Sequence, residues 1–147
     1  EVRTFEYLES IDTGRADVKT VPAYNHPSPK GLNITSTGEP LHKRGTNVGF
    51  HVTIDEVRMF WPSDSDLVDE HKSLEVDLLF APISQLANMN RHRAVELTEI
   101  LEPELVFPVH YKFDDKTPDA PPHIVADPHA FKDDIKDLST DVQCVLI

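Results

Sequence analysis

The stretch that most constrains the fold runs from residue 76 to residue 111, where two short apolar runs flank a helical pattern. Residues 76–83 and 105–109 are rich in Val, Leu and Phe, a composition suited to strands buried on both faces. Between them Ala94, Leu97, Ile100 and Leu101 fall on one helical face. Asn90 stands where an N-cap is needed, and Pro103 ends the pattern. A crossover of this length makes the two strands parallel. The second strand runs into His110, and in open α/β sheets ligands gather beyond the carboxyl ends of the strands.

The remainder reads as strands and loops. Residues 2–8 form a weak strand, Gly14 marks a turn, and residues 18–24 form a second strand with Pro22 near its end, a position for an edge or a bulge. Residues 26–47 hold three prolines and three glycines and read as a long loop. Residues 48–54 and 57–61 are two strands joined by a tight hairpin at Asp55-Glu56. A short helix is expected over 67–73, a loop over 114–128, a helix over 127–138 with Phe131, Ile135 and Leu138 on one stripe, and a closing strand over 142–147.

The length of 147 residues fits one α/β domain with a core. A net charge of -12 opposes contact with nucleic acid phosphates or anionic lipid. There is no signal-peptide pattern and no run long enough to span a membrane, so the cytoplasm is the expected compartment. The single cysteine excludes an internal disulfide, and Cys144 reads as a small buried hydrophobe. A first residue of Glu rather than Met reads as a fragment, a processed chain or a trimmed one.

Three polar residues share one kind of position. Asn25, Asp64 and His110 each lie just past the carboxyl end of an expected strand. A carboxylate and an imidazole brought together there are ligand types for zinc or another first-row metal. Taken singly, Asp64 reads as a turn former and His110 as a satisfied structural histidine.

The order of short motifs changes that balance. Pro22-Ala23-Tyr24-Asn25, Leu41-His42-Lys43-Arg44-Gly45, Val48-Gly49-Phe50, Ser63-Asp64-Ser65-Asp66, Val76-Asp77-Leu78-Leu79, Ala81-Pro82-Ile83, Asn88-Met89, Ala94-Val95-Glu96-Leu97 and Pro108-Val109-His110-Tyr111 follow one another at family spacing. Together they resemble the metallo-β-lactamase fold, in the branch of small metal-dependent hydrolases similar to ascorbate-6-phosphate lactonase. The resemblance implies that Asp64 bridges two metal ions and that His110 is the last metal-binding histidine. Asn25, the third candidate metal residue, falls where other branches carry a third histidine, and an Asn there makes one metal position poorer or absent. His42, in the variable loop, is the candidate substrate contact. His26, His51, His71, His92, His123 and His129 match no metal position and read as surface or core residues.

Two departures stand out. Ser63 replaces the family's glycine before the bridging aspartate, and Ser65 the threonine after it, so an altered turn is expected. The defining H-x-H-x-D-H motif of the amino-terminal half is absent from these residues. The resemblance therefore implies the carboxyl-terminal half of an αββα sandwich, belonging to a hydrolase of esters, lactones, amides or phosphoesters that works through metal-activated water. Zinc is the leading cofactor, with manganese and iron also suited to the ligand set. The expected partners are a small-molecule substrate and either a second copy of the chain or the missing amino-terminal half, with no nucleic acid and no membrane. The rival reading is a degenerate fold that has lost its metal and acts as a binding module. A flavodoxin-like domain is a third reading, weakened by the lack of a Gly-rich phosphate loop.

Overall fold

The computed structural model describes residues 7–26, 35, 37–84, 87–111 and 126–147. Seven strands form one mixed sheet whose spatial order follows the chain: β1 (Ser10–Asp12), β2 (Asp17–Ala23), β3 (Asn47–Ile54), β4 (Val57–Trp61), β5 (Leu78–Pro82), β6 (Leu105–Val109) and β7 (Gln143–Cys144). The first four run antiparallel to their neighbours, and β4 through β7 run parallel. Helices α1 (Arg91–Leu101) and α2 (Pro128–Lys136) pack on one face of the parallel part and on each other.

Local chemistry accounts for these elements. The β3–β4 hairpin turns on Asp55 and Glu56, both in the left-handed region (φ 48 and 69), as the turn matching strand twist requires. Helix α1 starts at Asn90, whose side chain accepts the Arg93 N–H, and stops at Glu102 in the left-handed conformation just before Pro103. Helix α2 is capped by Asp127, which accepts from His129 and Ala130. Pro22 lies beyond the last residue of β2 paired with β1, on a locally open edge where its missing N–H costs nothing. The buried His71 donates from Nε2 to the Pro22 carbonyl at 2.8 Å and so closes that edge.

Several expectations are corrected. The first described strand is Ser10–Asp12, with Tyr7 and Leu8 in a turn; residues 2–6 of the expected strand lie outside the described residues. The expected helix at 67–73 is a single 3-10 turn, Asp69–His71. The closing strand is only Gln143–Cys144. Most of the expected loop at 114–128, part of the loop at 26–47, and His123 also lie outside the described residues.

The more informative correction concerns burial. Strands β5 and β6 alternate between buried and half-buried residues rather than being buried throughout. Leu79, Ala81 and Val106 face the helices and join the core with Val21, Phe60, Leu97, Phe131 and Ile135. Phe80, Phe107, Phe50 and Trp61 sit on the opposite face, stacked in two aromatic pairs with ring centroids 5.4 and 6.1 Å apart. No element among the described residues covers that face.

Candidate metal centre

Parallel packing places the carboxyl ends of β2, β4, β5 and β6 along one rim of the sheet. Asn25, Asp64 and His110 all arrive there, as their positions after strands predict. Gly49 makes the route to Asp64 possible. A Cβ at Gly49 would lie 2.8 Å from the Trp61 carbonyl oxygen and 3.0 Å from Pro62, so only glycine lets the chain leaving β4 pass this close.

The turn that follows is tied down on both sides. The Ser65 hydroxyl accepts the Tyr24 N–H at 3.0 Å, and the Ser65 carbonyl accepts the Met89 N–H at 2.9 Å. Ser63 takes φ 59, the left-handed backbone that glycine adopts freely and serine adopts at some cost. His110 (φ 52) and Ala87 (φ 63) do the same, so three strained residues gather at this rim.

Asp64 is the centre of the arrangement. Its Oδ1 lies 2.9 Å from His110 Nδ1, and its Oδ2 lies 3.8 Å from His42 Nε2. Asn88, fully buried, places its side-chain nitrogen 2.7 Å from the same His110 nitrogen and pairs with Ser84 behind it. A single ring nitrogen either accepts from the amide or donates to the carboxylate, so the two neighbours compete for it. Asn25 is also buried. Its Oδ1 accepts the His42 N–H and its Nδ2 donates to the Ala87 carbonyl, so both ends of its amide already have backbone partners.

Asp64 and His110 fit a metal ion in donor type, carboxylate oxygen with imidazole nitrogen. Their 2.9 Å separation suits neighbouring ligands on one ion, and it equally suits a direct hydrogen bond. Among the described residues no group of three His, Cys, Asp or Glu side chains is close enough to hold an ion. The described donors therefore do not make a closed shell by themselves.

The other histidines stand apart from this centre. His26 reaches the Leu67 carbonyl, His51 reaches the Glu75 carbonyl, His71 is buried against Phe60, and His92 and His129 are exposed. Cys144 packs against the core, where burial raises its thiol pKa. Asn88 was given no role in the sequence reading. The available signal was its place beyond the end of β5, the strand lying between those that lead to Asp64 and His110.

Beside the two groups lies a trough of about 450 Å³ on the uncovered sheet face, lined by Phe50, Met59, Trp61 and Phe80 and closed at one end by Asp64 and His110.

The profile of the beta-lactamase superfamily domain matches residues 1–110. The chain belongs to this family. Among curated relatives of this superfamily domain, a UPF0173 metal-dependent hydrolase of Methanopyrus kandleri is 28% identical over 142 residues, 94% of this chain and 56% of that protein. A second, from Archaeoglobus fulgidus, is 27% identical over 141 residues, 92% of this chain and 55% of that protein. The chain thus spans about half the length of these relatives. Among solved structures, the metallo hydrolase Igni18 of Ignicoccus hospitalis superposes with TM-score 0.70 at 20% identity, over 97% of this chain and 56% of that one. The metallo-beta-lactamase fold protein YhfI of Bacillus subtilis gives 0.64 at 13% identity, over 96% and 50%. These likenesses establish the fold as the α/β metallo-β-lactamase fold, which sets the flavodoxin-like reading aside.

Proposed function

We propose that this superfamily domain is the carboxyl-terminal part of a metal-dependent hydrolase and contributes Asp64 and His110 to its metal centre. The observation that carries this reading is the meeting of the two side chains, from separate strand ends, at 2.9 Å. The half-length match to the curated hydrolases and the uncovered apolar sheet face support it from independent directions.

In this reading Asp64 is a charged ligand and His110 a neutral one, and Asn88 with Ser84 fixes the plane of the His110 ring. His42 faces the same carboxylate from the other side and is placed to contact a substrate. Asn25 supports the site through the backbone and is assigned no ligand bond. Asp64 and His110 would help hold a divalent ion, zinc foremost, whose chemistry when bound would be to acidify water and polarise a scissile carbonyl or phosphoryl group. The substrate would be an ester, lactone, amide or phosphoester. The remaining ligands would come from an amino-terminal half carrying H-x-H-x-D-H, whose sheet would cover the face of Phe50, Trp61, Phe80 and Phe107.

The lack of any three-ligand group among the described residues favours a second reading, a domain that keeps the fold without a working metal site. The coding sequence upstream of Glu1 separates the two. An H-x-H-x-D-H motif there, with metal in the longer protein that Asp64→Ala and His110→Ala each deplete, supports the hydrolase. Its absence, with no metal retained, supports the binding module.

A further inference from the structure

A polar amide taken out of water is costly wherever one end goes unpaired. Asn25, only 1% exposed, has neither end unpaired and grips a single neighbour twice. Its Oδ1 accepts the His42 N–H at 3.0 Å, and its own backbone N–H donates to the His42 carbonyl at 2.9 Å. Its Nδ2 donates to the Ala87 carbonyl at 3.0 Å. The two segments joined in this way flank Asp64. His42 Nε2 faces Oδ2 at 3.8 Å, and Asn88, next after Ala87, touches the His110 ring that faces Oδ1.

The geometry points to Asn25 as the positioning residue that presents His42 to Asp64, with the His42 imidazole rather than the Asn25 amide facing the reacting centre. This assignment rests on the reading of Asp64 as the centre of the site. A loop side chain holds a productive place only when its backbone is fixed, because a free loop spreads the ring over many conformations. The grip of Asn25 fixes both main-chain groups of His42. Two residues on, Arg44 adds a second anchor by donating to Glu70, whose other oxygen accepts the Tyr24 hydroxyl at 3.0 Å.

The test is NMR spectroscopy of the whole chain without metal. In the wild-type background, Asp64→Asn should shift the ring resonances of His42. In an Asn25→Ala background that response should vanish, and the His42 amide should exchange about tenfold faster, the local opening that follows loss of one ordinary hydrogen bond. The amide of His51, inside β3, should keep its protection and so report an intact fold. Asn25→Asp keeps an acceptor for the His42 N–H and should retain both the response and the protection; it is the variant to use if alanine prevents folding. A His42 response to Asp64→Asn that survives Asn25→Ala, or unchanged His42 exchange, overturns the assignment. So does loss of protection in Asn25→Asp, which would trace the effect to the Ala87 bond. None of these readouts involves metal or turnover, so the metal-binding measurements on Asp64→Ala and His110→Ala decide the hydrolase reading separately.

Discussion

Gly49 lies directly beneath the Trp61 carbonyl, with room for a hydrogen but not for a methyl group. That contact lets the chain leaving β4 fold across the end of β3 and deliver Asp64 to the rim. Gly49→Ala is therefore expected to cost on the order of 1–3 kcal/mol, because the nearest atoms are backbone and cannot swing aside. Denaturant unfolding measures the cost. The same substitution should move the His42 and His110 ring resonances, since the displaced segment carries the carboxylate that both rings face. A variant as stable as wild type would mean that the two strands have slack at this point.

His71 gives the fold a defined sensitivity to acid. Burial lowers its pKa to about 4 from an ordinary 6.5, opposed in part by its hydrogen bond to the Pro22 carbonyl. Between those values the unfolded chain binds a proton that the folded chain refuses. Stability is therefore fully present above about pH 6.5 and falls as pH drops toward 4, by up to roughly 3 kcal/mol from this group alone. His71→Leu should flatten that part of the stability-pH curve, at the price of the bond to Pro22 at neutral pH. An unchanged slope in the variant would assign the acid sensitivity elsewhere.

The face bearing Phe50, Trp61, Phe80 and Phe107 is expected to seek a cover. An apolar sheet face without a second layer favours self-association or pairing with another layer. Sedimentation velocity over a dilution series should show association of the chain, weakened when Trp61→Arg and Phe107→Glu are combined. A wild-type monomer stable to dilution would contradict this.

Much of the centre of the molecule was legible in the sequence, because several independent signals agreed there. Residues 76–111 carry apolar runs, a cap at Asn90 and a stop at Pro103, and they fold as strand, helix and strand. The hairpin at Asp55-Glu56 and the α2 cap at Asp127 follow from equally local chemistry. What was not legible depended on partners distant in the chain. Whether Phe80 and Phe107 are buried depends on what lies over the sheet, so composition alone suggested burial on both faces. The use of Asn25 depends on where His42 and Ala87 come to rest, and that of Asn88 on the approach of His110. Ser63 shows the limit of a residue rule: serine suggested an altered turn, yet the left-handed backbone is present, held by the bonds of Ser65 to Tyr24 and Met89.

The central claim is that Asp64 and His110 are ligands to one divalent ion. Thermal melting of the longer protein, as wild type, Asp64→Ala and His110→Ala, each with saturating zinc and with chelator, tests it most directly. An ion present at ten times its dissociation constant stabilises the folded state by about 1.4 kcal/mol, several degrees for a chain of this size. The account expects zinc to raise the melting temperature of wild type and of neither variant, with both variants no less stable than wild type in chelator. If wild type melts alike in both conditions, and His110→Ala is destabilised equally in each by on the order of 1–3 kcal/mol, His110 is a structural partner of Asp64 and the metal assignment fails.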